Sequence, residues 1–194
     1  IEKNVLPKVD TPAGYSIRIA GDYEDQQETF GKMGMLGALI ILLVYIVMAS
    51  QFESFSKPAI IMFSVPFALS GVVLALWMTN TSLDMIGALG LVLLVGIVVK
   101  NGIVLVDYIN LMRERGHDLD EAIQISGQSR LRPVLMTSLT TILGMAPMAL
   151  GIGEGSEIWQ PMGIAVVGGL LVSTLLTLFI VPSLYAMMEG RKER

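Results

Sequence analysis

Long uncharged stretches separated by short charged segments restrict most strongly how this chain can fold. The stretches cover residues 33–52, 58–83, 133–153 and 158–188. Each reaches the roughly 20 residues that a helix needs to cross the hydrocarbon core of a bilayer. Because lipid offers no hydrogen-bond partners to the backbone, such segments are expected to be helices. The pattern therefore predicts an all-α polytopic membrane protein.

The composition excludes several other classes of protein. Apolar residues make up 53% of the chain and charged residues only 15%, whereas a soluble domain carries about 25% charged residues. A net charge of -4 gives no indication of a nucleic-acid partner. The chain has no cysteine and one histidine, His117, so neither a thiolate site nor a common zinc site is expected. We therefore expect no metal and no cofactor.

One more apolar stretch, the third in chain order, contains two charged residues, Lys100 and Asp107. Small residues are frequent in this stretch and in the last one, which predicts that both lie inside the bundle. Between the third and fourth stretches, residues 117–128 have apolar positions on one side. They predict an amphipathic helix on the cytoplasmic membrane surface. We thus expect five transmembrane helices, at about residues 33–52, 58–79, 84–112, 131–152 and 159–188.

The first 30 residues are more polar than the rest of the chain. Apolar and other residues alternate over residues 15–20, which predicts a strand, and a helix is expected to lead from Asp22 into the first span. A strand without partners cannot fold alone. We interpret residues 1–30 as the α/β end of a larger domain, residues 31–190 as the membrane domain and residues 191–194 as a tail. The chain is thus expected to be a fragment.

Basic residues predict the orientation in the membrane. The short loops at residues 78–84 and 151–160 contain no lysine or arginine, while the alternate loops contain eight. The positive-inside rule places the basic side in the cytoplasm. With five spans, the C-terminus is then cytoplasmic and the N-terminal segment lies outside. The eight basic residues are Lys57, Arg113, Arg115, Arg130, Arg132, Arg191, Lys192 and Arg194.

Lys100 is predicted to lie near the middle of the membrane, where a charged side chain costs about 2.5–3.5 kcal/mol on insertion scales. Its ammonium group either extends toward the cytoplasmic surface or pairs with carboxylates on another helix. Asp107 lies about 10 Å farther along the helix, too far for a direct pair. Asn101 adds a polar side chain at the same depth, either as a contact between helices or as a functional group.

A second row of polar residues follows one side of the fourth span, at Arg130, Thr137 and Thr141. Such a row can guide protons or water inward from the cytoplasmic side. Alternatively, Arg130 anchors the helix at the membrane surface and the threonines hydrogen-bond to their own helix. From the residues alone, the second interpretation is favoured.

Two segments, GIVVKNGIVLVDYINLMRERG and SRLRPVLMTSLTTILGMAPMAL, resemble the carboxy-terminal membrane half of the resistance-nodulation-division (RND) efflux permeases. The branch that exports hydrophobic and amphiphilic compounds, including drugs, is the most similar. FESFS at residues 52–56 and TPAGYSIRIAGDYEDQQETF near the N-terminus resemble further family segments. The resemblance covers essentially the whole chain and implies spans eight to twelve of a twelve-span permease.

The resemblance implies a proton-driven drug antiporter of the bacterial inner membrane rather than an enzyme, with the proton gradient as its energy source. Lys100, Asn101, Arg130 and Thr137 match the intramembrane proton relay of the family, and Asp107 and Thr141 are possible secondary positions. The aspartates that pair with the lysine belong to the missing N-terminal half. Implied partners are the lipid bilayer, two further copies in a homotrimer and, in Gram-negative bacteria, a periplasmic adaptor protein and an outer-membrane channel.

Other functions of the same fold remain open at this point. Protein and lipid exporters of the RND superfamily share the six-span half and its polar residues. Metal exporters are a further alternative, although the methionines of this chain form no paired clusters. A truncated half that does not transport and acts as a membrane scaffold is an alternative from a different class.

Overall fold

The computed structural model describes residues 22–190, with side chains from residue 29 onward, and this part of the chain is entirely helical. The strand predicted at residues 15–20 and the tail at 191–194 lie outside the described residues. Six helices follow one another along the chain: α1 (Asp22–Phe52), α2 (Ser56–Met62), α3 (Ser64–Thr79), α4 (Met85–Glu114), α5 (Leu119–Ala149) and α6 (Ser156–Glu189).

Within residues 22–190, four helical segments are long and apolar enough to cross a membrane. They are Thr29–Phe52, Ser56–Thr79, Met85–Glu114 and Ser156–Glu189. The expected count of five is not reached, because α5 is long enough, with 31 residues, but is not apolar enough to be included. Two arginines and several hydroxyl side chains make it less apolar than its neighbours: Arg130, Arg132, Thr137, Ser138, Thr140 and Thr141.

The second span consists of two helices with a break at Phe63. Pro66 explains the break, because it has no N–H to donate to the carbonyl of Met62 and its ring collides with that group. The hydroxyl of Ser64 donates to the carbonyl of Ile61 at 2.6 Å, which satisfies one of the acceptors at the end of α2.

The second and third spans are connected by a tight turn. There Asn80 ends α3 in the left-handed conformation (φ 53°), and the Asp84 carboxylate caps α4 by accepting from the Gly87 N–H at 2.7 Å.

The amphipathic segment predicted at residues 117–128 is helical from Leu119 onward. It forms the first part of α5 and continues into the apolar part of the helix without a break. Ala122 is fully buried, and it belongs to the same core cluster as Ile109, Met112 and Tyr185, at the ends of α4 and α6. The apolar side of the segment therefore packs against α4 and α6, and its position at the membrane surface stays a prediction.

Helix α6 lies at the centre of the bundle and contacts α2, α3, α4 and α5. Its glycines allow this close approach. A Cβ atom added at Gly163 would lie 2.6 Å from the backbone nitrogen of Ala149 in α5, and one added at Gly169 would lie 2.1 Å from a methyl group of Leu94 in α4. The buried share of the most apolar stretch of each span is 56% for α6 and 50% for α4, but only 6% for α1. The small residues thus mark the two interior helices, as expected.

Candidate functional site

Three polar side chains from three helices meet in the interior of the bundle. The Asn101 amide of α4 donates to the Ser138 hydroxyl of α5 at 3.4 Å, and the Thr174 hydroxyl of α6 donates to the same oxygen at 2.9 Å. The three residues are only 7%, 2% and 5% exposed, respectively. Buried polar groups need such partners, because leaving them unpaired costs free energy. We call these three residues the polar junction.

The side chain of Asn101 joins two helices in the polar junction, and its relay role stays a prediction. The sequence analysis did not identify Ser138 or Thr174. Both are small hydroxyl residues in apolar helices, which more often hydrogen-bond to their own backbone. Ser138 also lies about 100° around α5 from Thr137, so it does not belong to the row of polar residues that the sequence analysis followed.

Lys100 lies on the exposed side of α4, and so does Asp107. Among the side chains of residues 29–190, no carboxylate lies within ion-pair distance of the Lys100 ammonium group. The structure thus separates Lys100 from Asp107, as the spacing along the helix predicted.

Lys100 and Thr137 face the same side of the α4–α5 pair. The two helices are antiparallel, because Asn101 contacts Ser138 while Tyr108, farther along α4, contacts Arg130, earlier in α5. Lys100 comes one position before Asn101, and Thr137 comes one position before Ser138. Each is therefore rotated by about 100° around its helix from the residue that makes the contact. Because the two helices run in opposite directions, the two rotations bring Lys100 and Thr137 to the same side of the pair. We call this side of the pair the open face.

The two threonines of the predicted row hydrogen-bond to their own helix. The Thr137 hydroxyl donates to the carbonyl of Val134 at 3.0 Å, and the Thr141 hydroxyl donates to the carbonyl of Thr137 at 2.9 Å. Thr137 is nevertheless exposed on the open face. This arrangement is the local bonding that the residues alone favoured. A relay role for Thr137 and Thr141 stays a prediction.

Arg130 lies against an aromatic ring. The central carbon of its guanidinium group is 4.3 Å from the centre of the Tyr108 ring in α4, a distance typical of a cation–π contact. Its Nε atom is buried and has no hydrogen-bond partner among the described residues. The sequence analysis did not identify Tyr108, because the contact joins two residues that are 22 positions apart.

The C-terminal ends of α4 and α6 are joined by a further polar contact. The hydroxyl of Tyr185 donates to the amide oxygen of Asn110 at 2.7 Å, and Tyr185 is almost completely buried. Within the side chains described, those of residues 29–190, no group of three or more His, Cys, Asp or Glu is arranged to hold a metal ion.

Comparison with known proteins relates these residues to membrane pumps. The family model of the AcrB/AcrD/AcrF family matches residues 1–189. The cobalt-zinc-cadmium resistance protein CzcA of Cupriavidus metallidurans is 36% identical over 192 residues, which cover 99% of this chain and 18% of that protein. The multidrug resistance protein MdtC of Erwinia tasmaniensis is 38% identical over 195 residues, which cover 100% of this chain and 19% of that protein.

A solved structure shares the fold. The crystal structure of a heavy metal efflux pump superposes with a TM-score of 0.81 at 32% sequence identity, over 95% of this chain and 19% of that chain. The chain thus spans about one fifth of the length of these relatives. Because the family model matches almost every residue, the chain belongs to the AcrB/AcrD/AcrF family of RND efflux permeases.

Proposed function

We propose that this chain is the energy-coupling membrane segment, spans eight to twelve, of a proton-driven RND exporter of the bacterial inner membrane. The observation that carries the proposal is the exposed Lys100 on the open face, without a carboxylate partner among the side chains described from residue 29 to residue 190. A lysine inside an apolar span is costly unless it is paired or hydrated. The open face is therefore where the rest of the permease supplies the carboxylates that pair with it.

The coupling step follows from the charge on those carboxylates. While they are ionised they attract Lys100, and when protons bind they lose their charge and release it. The ammonium group then turns toward Thr137, on the same face, and the change in attraction alters the packing between the two halves. Arg130 and Asn101 contribute to the same relay. Asp107 and Thr141 remain secondary positions.

Helix α5 forms the fifth membrane crossing in this proposal. It packs along both α4 and α6, and the polar junction lies at the middle of these contacts. Its arginines then lie at the cytoplasmic end and its apolar part crosses the bilayer. The C-terminus is cytoplasmic and the N-terminal segment is outside, as the basic loops predict. A complete permease acts as a homotrimer and, in Gram-negative bacteria, with a periplasmic adaptor protein and an outer-membrane channel.

Hydrophobic or amphiphilic compounds are the proposed substrates, which is supported by the similarity to MdtC. Heavy-metal ions are the second candidate, favoured by the nearly equal identity to CzcA and by the fold of a heavy metal efflux pump. Relatives with different named substrates match this segment about equally. This equality supports a general coupling role for the segment, with selection of the substrate elsewhere in the permease.

The test uses the full-length permease in inverted membrane vesicles, with proton flux followed by a pH-sensitive dye. We expect Lys100→Met to abolish proton-coupled export, because the carboxylates lose the cation that responds to their charge. Lys57→Met is the matched control, since it removes a lysine at the start of α2, away from the open face, and we expect it to leave export intact. Coupled export that persists in Lys100→Met would refute the proposal.

The same vesicles distinguish the substrate classes. A cationic amphiphilic dye and Zn²⁺ are supplied separately, and the release of protons on addition of each compound is recorded. If the permease exports drugs, protons are released on addition of the cationic amphiphilic dye and not on addition of Zn²⁺. A response to Zn²⁺ alone contradicts drug export and supports the second candidate.

A further inference from the structure

We propose that Tyr108 is a positioning residue of the relay, which holds the Arg130 guanidinium group inside the bundle through the face of its ring. The inference rests on the proposed function and assigns a role to a residue that the relay itself does not include. Two independent observations support it: the distance of 4.3 Å between the guanidinium carbon and the ring centre, and the buried Nε of Arg130 without a hydrogen-bond partner.

The buried Nε atom of Arg130, which has no hydrogen-bond partner among the described residues, shows which kind of contact holds the guanidinium group. A buried guanidinium group normally makes charge-assisted hydrogen bonds to a carboxylate. Where side chains are described, at residues 29–190, Arg130 forms no such ion pair, and Asp107, the residue before Tyr108, is exposed. The electron-rich face of the Tyr108 ring is therefore the group that compensates the positive charge at this position.

An aromatic partner has a consequence that a carboxylate would not have. A carboxylate would neutralise the charge of Arg130, whereas the ring attracts the guanidinium group and leaves its full charge available to other groups. Without the ring, the long side chain of Arg130 is free to extend toward the cytoplasmic surface. Tyr108 thus keeps a positive charge near the cytoplasmic entrance of the relay while leaving it unneutralised.

The position of the pair relative to the polar junction is consistent with this role. Tyr108 lies seven residues after Asn101 on α4, and Arg130 lies eight residues before Ser138 on α5, so both contacts join the same two helices about two turns apart. The polar junction fixes the rotation of α4 against α5. The ring of Tyr108 is thereby held beneath the arginine.

The experiment replaces Tyr108 in the full-length permease by phenylalanine, leucine and a series of phenylalanines with one, two and three fluorine atoms. Fluorine withdraws electron density from the ring face and leaves its shape almost unchanged. We expect Tyr108→Phe to retain proton-coupled transport and Tyr108→Leu to lower its rate about 5- to 30-fold, the factor that corresponds to a cation–π contact of ordinary strength. The fluorinated rings should lower the rate stepwise with the number of fluorine atoms.

Two outcomes separate this inference from the proposed function. If Lys100→Met abolishes coupled transport but the fluorinated series retains full rates, Tyr108 holds nothing by its ring face and the inference is wrong. If Lys100→Met retains coupled transport, the proposed function itself fails. A double-mutant cycle with Arg130→Met adds a check, because Tyr108→Leu should have no further effect once the guanidinium group is absent. The fluorinated variants keep the test decisive even if Tyr108→Leu does not fold.

Discussion

A close backbone contact between α5 and α6, at Gly163, offers a quantitative test of the fold. Gly163→Ala adds a Cβ atom to α6 at a point where it would lie 2.6 Å from the nitrogen and 2.9 Å from the Cα of Ala149. Ordinary contacts between such atoms are about 3.5–4.0 Å, so the helices must separate by about 1 Å. The obstructing atoms belong to the backbone and cannot turn aside. The strain therefore falls on the whole contact between the two helices.

The size of the effect follows from that separation. A gap of 0.5–1 Å forfeits about a quarter to a half of the dispersion energy of each contact along the interface. Overpacking of this kind typically costs about 1–3 kcal/mol. We expect Gly163→Ala to lower the stability of the permease by an amount in this range. The assay is the thermal unfolding midpoint of the purified full-length protein in detergent.

A control variant separates this steric effect from the general effect of alanine in a helix. Gly34, in the exposed helix α1, has no atom within 4 Å of an added Cβ. We expect Gly34→Ala to be neutral or slightly stabilising, by up to about 1 kcal/mol, because alanine favours a helix more than glycine does. The reasoning is refuted if Gly163→Ala is as stable as Gly34→Ala.

Five further substitutions, at Ser138, Thr174 and Asp84, test the polar contacts. Ser138→Ala leaves the partners of the polar junction without their shared hydroxyl, and we expect a loss of about 0.6–1.7 kcal/mol in the unfolding free energy. Thr174→Ser keeps the hydroxyl and should cost less than Thr174→Val, and equal losses in these two variants would contradict the hydrogen bond. Asp84→Ala removes the cap of α4 and should cost about 1 kcal/mol. Asp84→Asn should retain most of that stability, and chemical denaturation of the full-length protein measures all five variants.

Much of the fold could be predicted because hydropathy and helical periodicity are local properties. Four of the five predicted spans correspond to helical segments that are long and apolar enough to cross a membrane. The small residues of α4 and α6 correctly indicated the interior helices. Helix α5 was harder to predict. Its polar residues weaken the signal of a span, and nothing in residues 128–132 indicates that the helix continues without a break.

The functional site was predicted less completely, for a physical reason. Lys100 was recognisable because a charge in an apolar span is costly wherever its helix packs. Ser138, Thr174 and Tyr108 are ordinary residues in helices, and their roles depend on what faces them. The partner of each lies 22 to 37 residues away in the chain, on another helix.

The sequence by itself determined that this chain forms apolar helices, where most of them begin and end, and which two lie inside the bundle. Those properties depend on the free energy of burying each residue and on its neighbours one turn away. Only the tertiary structure decided which side chains meet between helices. It placed Ser138 between Asn101 and Thr174 and the Arg130 guanidinium group over Tyr108. These contacts depend on how each helix is rotated against the next, which the packing of the whole bundle sets.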